Sequence, residues 1–398
     1  MTSEWNHFAL GEITELVIDY RGKTPKKLGG DWCKQGYRAL SAKNIKTGRI
    51  VQAETIRYID ESLYRKWMKD EVQRGDILIT SEAPFGQIFF WDSDEKIVLS
   101  QRLFCVRIKP EYDARFIYYY MTTPEFQSEL DGRATGTTVI GLRQPELMKC
   151  VIRCPEIQEQ KVIAAILFSI DAKIIANEKV NDNLYEIVNA YYTSLFKDVE
   201  CEMTTIGNYA ERIYSGGTPT TSNAAYWDGT FGWFSSGETR NRFVISTEKS
   251  ITQTGIDNSS TKLASKHDIV MASAGQGFTR GQTSMLLIDT YVNQSVIVIH
   301  ADRNILPYLF WNLANRYEEL RAISDSSSIR GSLTTKMIAA FEIPCANNDV
   351  IQTFSGFAWA VIPQIENNLL ENERLAALRD SLLPKLMTGE IDVSAIQL

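Results

Sequence analysis

The sequence predicts an α+β chain built as two tandem globular segments, each followed by a long helix. Two observations predict it. A set of short motifs recurs in the same order in both halves of the chain. After each copy, the hydrophobic period changes from strand-like to helical. A third observation limits the class: the longest unbroken apolar stretch is Val162–Phe168, far short of the roughly 18 residues a membrane-spanning helix needs.

The repeat opens with Leu10-Gly11-Glu12-Ile13, answered by Ile206-Gly207-Asn208-Tyr209. Gly22-Lys23-Thr24-Pro25 is answered by Gly216-Gly217-Thr218-Pro219, and Trp32 and Gly36 by Trp227 and Gly232. Gly75-Asp76-Ile77-Leu78-Ile79-Thr80-Ser81 matches His267-Asp268-Ile269-Val270-Met271-Ala272-Ser273, in each case a turn feeding a buried strand. Val98-Leu99-Ser100-Gln101 matches Tyr291-Val292-Asn293-Gln294, and Ile140-Gly141-Leu142 matches Arg330-Gly331-Ser332-Leu333. Both copies close on a proline, Pro155 and Pro344. The offset drifts only from about 195 to 189 residues, so small loop changes account for it. Arg115–Met121 and Pro307–Ala314 read as helices within the two copies.

After Pro155, Ile163, Leu167, Ile170, Ile174, Asn177, Asn181, Leu184, Val188, Tyr191 and Leu195 alternate in steps of four and three, a heptad seam. After Pro344, Ile362, Ile365, Leu369, Asn372, Ala376, Leu383 and Leu386 form a less regular stripe within Asp349–Met387, interrupted by Arg379. Pro363 lies inside it and is expected to kink or restart that helix, because proline cannot donate to the helical ladder. Each segment of about 40 residues would make a helix roughly 60 Å long. Seam asparagines favour a specified partner, since a buried Asn fixes register. The divisions are therefore 1–152 and 201–345 for the globular segments, with a long helix at 153–200 and a second long helix and C-terminal tail at 346–398.

The 398 residues carry a formal net charge of −7, with a pI near 5.3. As a whole that argues against a nucleic-acid binder, which needs Lys and Arg for phosphate. The acidity is local, however. Residues 1–150 carry net +1 and 203–345 net 0, whereas 151–202 and 346–398 carry −4 each. The six cysteines are sparse and irregular, as in reduced cytosolic proteins. The N-terminus shows no basic start and apolar run of a signal peptide, so a cytoplasmic protein without a membrane role is expected.

Catalytic signatures are missing. The three histidines, His7, His267 and His300, have no local partners. Gly22-Lys23-Thr24 lacks the glycine a phosphate loop needs at position 17, which is Val17. Gly275-Gln276-Gly277 lacks the rest of a dinucleotide fingerprint. Cys150 and Cys154 have no second pair to complete a metal site. A non-catalytic chain with no cofactor or metal of its own is expected. What remains are polar loops: Arg and Lys can pair bidentately with guanine, and Asn and Gln with adenine. The candidates are Lys43, Asn44, Arg102, Arg133, Thr137, Thr138 and Arg143 in the first copy. The second copy offers Arg240, Arg242, Gln276, Arg280, Gln282 and Arg330.

On these features the chain resembles the specificity subunits of type I restriction–modification systems. The resemblance rests on the two Gly-x-Thr-Pro openings and on Gly75-Asp76-Ile77-Leu78. It also rests on the helix start Pro155-Glu156-Ile157-Gln158-Glu159-Gln160-Lys161-Val162-Ile163 and the ending Leu382-Leu383-Pro384-Lys385-Leu386-Met387-Thr388-Gly389-Glu390-Ile391. It implies that the globular segments are target-recognition domains, each reading one half of a split, asymmetric site in double-stranded DNA. It implies long helices packed as an antiparallel coiled coil that sets the unread gap and docks two modification (methyltransferase) subunits, with restriction/translocase subunits joining. S-adenosylmethionine, ATP and Mg would belong to those partners. The competing expectation is a coiled-coil scaffold for protein interactions with no DNA role.

Overall fold

The computed structural model describes residues 5–136, 140–196, 202–275, 279–326 and 331–396. The chain divides into two units: Met1–Lys173 with Leu375–Leu398, and Ile174–Arg374.

In the first unit a four-stranded antiparallel sheet runs in the order Thr14–Asp19, Leu103–Ile108, Ile77–Thr80, Ile88–Phe90. A second sheet has Tyr37–Leu40 between Arg57–Ile59, antiparallel, and Ile97–Leu99, parallel. Asn6–Ala9 pairs with Val151–Cys154, closing the start of the segment on its end.

The second unit repeats this order. Ala210–Ser215, Val296–Ala301, Ile269–Ala272 and Thr283–Leu286 form the main sheet, with Phe243–Val244 added at the edge. The second sheet again has a parallel pair, Trp227–Phe234 with Thr290–Val292, here flanked on both sides, by Lys249–Ile251 and Lys262–Ala264. Met203–Thr205 pairs with Glu342–Pro344. The sequence repeat is thus a repeat of topology.

The all-apolar strands follow from the layering. Alternate residues of a strand face opposite sides of the sheet. In the first unit Ile77 and Ile79 join one core with Phe104, Phe116, Ile163 and Leu386, while Leu78 joins another with Cys105, Leu40 and Trp67. The second unit sends Ile269 and Met271 to a core with Trp311, Tyr192 and Phe354, and Val270 to one with Phe234 and Val292. Each main sheet is covered on one face by helices and on the other by the smaller sheet, so both faces are apolar.

The long helices are Ile157–Phe196 and Asn348–Met387. Within the second unit they run antiparallel, since Asn177 meets Asn372, Asn181 meets Asn368 and Tyr191 meets Phe357. In the first unit Asp171 meets Arg379. Seam residues Ile163, Leu167, Ile170, Ile174, Val188, Ile362 and Ile365 are buried, and Leu184, Leu369 and Leu383 are half-buried. The helix ends are not bare spacers, because they contribute to the globular cores of their units.

One expectation is corrected. Of the two outcomes expected at Pro363, the restart does not occur: the second helix is a single 40-residue element. Pro363 is exposed, while Ile362 and Ile365 beside it are 1% exposed and locked in the core. Tertiary packing of the apolar stripe holds the turn despite the missing donor.

Candidate nucleic-acid interface

The Gly-x-Thr-Pro openings sit where the first main-sheet strand leaves its sheet, and each glycine is needed for a different reason. Gly22 has φ +86°, a left-handed conformation that costs glycine nothing. A Cβ on Gly216 would lie 1.9 Å from the Val292 carbonyl oxygen.

In the first unit this edge forms a cleft of about 350 Å³ lined by Asp19, Arg21, Gly22, Glu82, Gln101 and Arg102. Arg21 is fixed within it. Its Nε and Nη2 donate to Asp19 at 2.8 Å, its Nη1 donates to the Leu142 carbonyl at 3.2 Å, and its guanidinium lies 4.1 Å from the Phe104 ring centre. Arg102 adopts φ +65°, rare for a residue with a Cβ. Its Nε lies 3.1 Å from Glu82, and half of the side chain remains in solvent. Two backbone bonds tie the edge together. The Ser81 N–H donates to the Arg102 carbonyl at 2.9 Å and the Leu142 N–H to the Ser81 carbonyl at 3.0 Å. Arg143 follows directly and is exposed at the start of a short helix.

The second unit builds the same edge with the same two bonds. The Ser273 N–H donates to the Ser295 carbonyl and the Leu333 N–H to the Ser273 carbonyl, both at 2.8 Å. The side chains differ. Ser295 stands where the first unit has Arg102, and Gln294 accepts from the Thr218 hydroxyl. Arg280 is drawn inward, donating to the Gly331 carbonyl at 2.7 Å and pairing with Asp325. Gln282 keeps a buried Oε1 with no hydrogen-bond partner among the described residues. One scaffold thus presents two chemically different edges.

The structure brings Arg102 and Arg143 to one edge, and Arg280 and Gln282 to the equivalent edge. Lys43 is exposed on a separate turn. Thr137, Thr138, Gln276 and Arg330 lie outside the described residues. Arg133 is engaged by Glu129 at 2.9 Å and Glu146 at 3.7 Å. Arg240 pairs with Glu248 and donates to the Gly237 carbonyl. Arg242 stands apart from the edge, 4.3 Å over the Tyr185 ring and 3.5 Å from Asp182.

Asn44 is a correction. It is 1% exposed and cannot reach a base edge. Its Oδ1 accepts from the Ser41 backbone N–H and hydroxyl, and its Nδ2 donates to the Gln52 carbonyl and Thr55 hydroxyl. Glu238 does the same for Ser235 in the second unit. The signal was present as Ser-x-x-Asn and Ser-x-x-Glu, reciprocal turn caps. Arg21 was missed because a local pair with Asp19 does not mark a site; the Leu142 carbonyl and Phe104 ring that complete its place lie far along the chain.

Among the described residues, no group of three or more His, Cys, Asp or Glu could hold a metal ion, and no helix is long and apolar enough to cross a membrane. The described cysteines are free. Burial pushes the Cys150 and Cys154 thiols up to about 12.

Comparison with known proteins agrees with this architecture. The chain is 28% identical over 187 residues to the type I restriction enzyme MjaVIII specificity subunit of Methanocaldococcus jannaschii, covering 46% of the chain and 43% of that protein. It is 26% identical over 246 residues to the EcoR124I/EcoR124II specificity subunit of Escherichia coli, covering 58% and 59%. These alignments span about half the length of the relatives. The HindI specificity subunit of Haemophilus influenzae matches at 20% identity over 81% of the chain and 88% of its own length. The crystal structure of the type I restriction–modification S subunit from M. genitalium shares the fold, with a TM-score of 0.59 at 16% identity over 96% of both chains. The family described as type I restriction modification DNA specificity domain matches twice, over residues 2–185 and 199–349; the chain belongs to that family.

Proposed function

We propose that this chain is the DNA-reading subunit of a type I restriction–modification complex, with each globular unit reading one half of a bipartite, asymmetric site in double-stranded DNA. The observation that carries the reading is the doubled edge. The same backbone frame recurs in both units, bearing Glu82 and Arg102 in one and Ala274 and Ser295 at the matching positions of the other. A duplicated frame gives the pseudo-symmetry that a dimer brings to a palindrome, and unlike side chains make the two halves of the site unlike.

Backbone contacts position a protein on DNA, and base contacts specify the sequence. In the first unit Arg102 and Arg143 are the candidates for base edges. Arg21, tied to Asp19 and Leu142, shapes the cleft beside them. The acidic long helices are unsuited to phosphate and face protein partners. They dock two modification subunits and set the unread gap, and restriction/translocase subunits complete the assembly. S-adenosylmethionine, ATP and Mg act on those partners, and this chain itself is non-catalytic.

The test is binding of the assembled complex to DNA carrying its methylated motif, measured over a salt series. The DNA-reading account predicts site-selective binding that weakens as salt rises. A complex that assembles normally but never binds DNA would favour the scaffold reading. Inserting one heptad between Ile163 and Leu195 should change the tolerated gap and leave the read bases alone.

A further inference from the structure

The helix seam contains a polar set that the reading above does not use. In the second unit, Asn177 Nδ2 donates to Asn372 Oδ1 at 2.9 Å, and Asn368 Nδ2 donates to Asn181 Oδ1 at 2.7 Å. Asn372 Nδ2 then donates to the Ile174 carbonyl and Asn181 Nδ2 to the Ile365 carbonyl, both at 3.3 Å.

These bonds are related by the repeat. The long helices start at Ile157 and Asn348, an offset of 191. The same offset carries Asn177 to Asn368, Asn181 to Asn372 and Ile174 to Ile365. Each bond therefore has its own image in the other helix. A set with that symmetry is satisfied equally when the first helix meets the second and when either helix meets a copy of itself. The asparagines fix the alignment and leave the choice of partner open.

Contacts outside this set break the symmetry. Asn177 Nδ2 also donates to Glu371 Oε2 at 2.7 Å, and the offset takes Glu371 to Val180. A second such contact joins opposite charges. In the first unit, Arg379 Nη1 lies 2.8 Å from Asp171, with the side chains 31% and 21% exposed. The Tyr119 hydroxyl also donates to Asp171 at 2.6 Å. The offset takes Asp171 to Ile362 and Arg379 to Val188, both apolar and at most 1% exposed. Pairing of two first helices would set Asp171 against a valine. Pairing of two second helices would set Arg379 against an isoleucine. The first leaves half-buried Asp171 without its cation and the second leaves Arg379 with only Asp380 of its own helix, which is how specificity against a wrong partner is built.

We propose that the Asp171–Arg379 pair is the partner selector of the long helices: it makes a first helix meet a second helix and disfavours pairing of two first or two second helices from separate copies of the chain. The inference is independent of the DNA-reading proposal, because it concerns only which helix meets which.

The test co-expresses two full-length copies carrying different affinity tags and measures recovery of the second tag on the first, with mass by light scattering. R379D places two carboxylates together and should raise cross-tag recovery roughly tenfold, with a species of twice the 45.1 kDa chain mass. D171R/R379D restores the pair in reverse and should return recovery to the wild-type level. Should R379D not fold, D171I/R379V gives each position its repeat equivalent, keeps the seam apolar and should exchange as well. Recovery in folded R379D or D171I/R379V no higher than in wild type would overturn the proposal. So would exchange in D171R/R379D as high as in R379D.

Discussion

Both units bury an aspartate at the same point of the main sheet, and they partner it differently. Asp76 and Asp268 are each 1% exposed. Each accepts from the backbone N–H three residues earlier, Gln73 at 2.8 Å and Ser265 at 2.9 Å. The neighbouring strand then supplies Arg107 in the first unit, at 2.9 Å to both carboxylate oxygens. In the second unit it supplies His300, with Nδ1 2.6 Å from the carboxylate. The fold needs an acceptor for the turn N–H; which basic side chain faces it differs between the units. Function allows the same division, with a fixed frame and exchangeable side chains at the edge.

Four predictions bear on this comparison, the largest first. Arg107→Ala should destabilise the first unit by about 3–5 kcal/mol, because it strands a buried carboxylate. Denaturation combined with limited proteolysis should show loss confined to that unit. His300→Ala should cost the second unit less, about 1–3 kcal/mol. Equal costs would break the contrast between the two pairs.

The third prediction concerns pH. Burial raises the Asp268 carboxyl above its ordinary 3.8, against the opposing pull of His300. A raised folded value means the contribution is full below the unfolded value and is lost as pH rises through the folded one. Asp268→Asn removes that loss. The stability of wild type relative to D268N should therefore fall as pH is raised above 3.8, by no more than about 1.4 kcal/mol per pH unit. Urea midpoints across a pH series would measure it, and a constant difference would refute it.

The last effect is a reporter with little energetic weight. Cys105 sits beside Asp76, with Sγ 3.4 Å from Oδ2, and burial raises its thiol well above the usual value. The second unit has Val298 at that position. Cys105 should resist alkylation in wild type and in His300→Ala and become reactive in Arg107→Ala, read by mass spectrometry, while exposed Cys345 reacts throughout.

The order of elements was legible because it rests on local signals. The apolar runs Ile77–Thr80 and Ile269–Ala272 and the heptad steps from Ile163 mark strands and helices directly. The helix does not restart at Pro363 because local propensity is outweighed by the burial of Ile362 and Ile365. The candidate edge was only partly legible. Arg102 and Arg143 were found from residue type and loop position. Arg21 depends on contacts more than eighty residues away, and Asn44 looks like a base reader until its turn is seen. Partner choice by Arg379 was invisible for the same reason: in sequence it is a blemish in an apolar stripe, and its meaning lies in Asp171 across the seam.

The central claim is that two independent readers share one chain. The most direct measurement replaces residues 1–152 with those of a relative, assembles the chimera with the modification subunits and maps methylated sites by sequencing. The account predicts that one half of the motif changes while the other half and the gap stay as they were. A motif altered in both halves, or in neither, would contradict it.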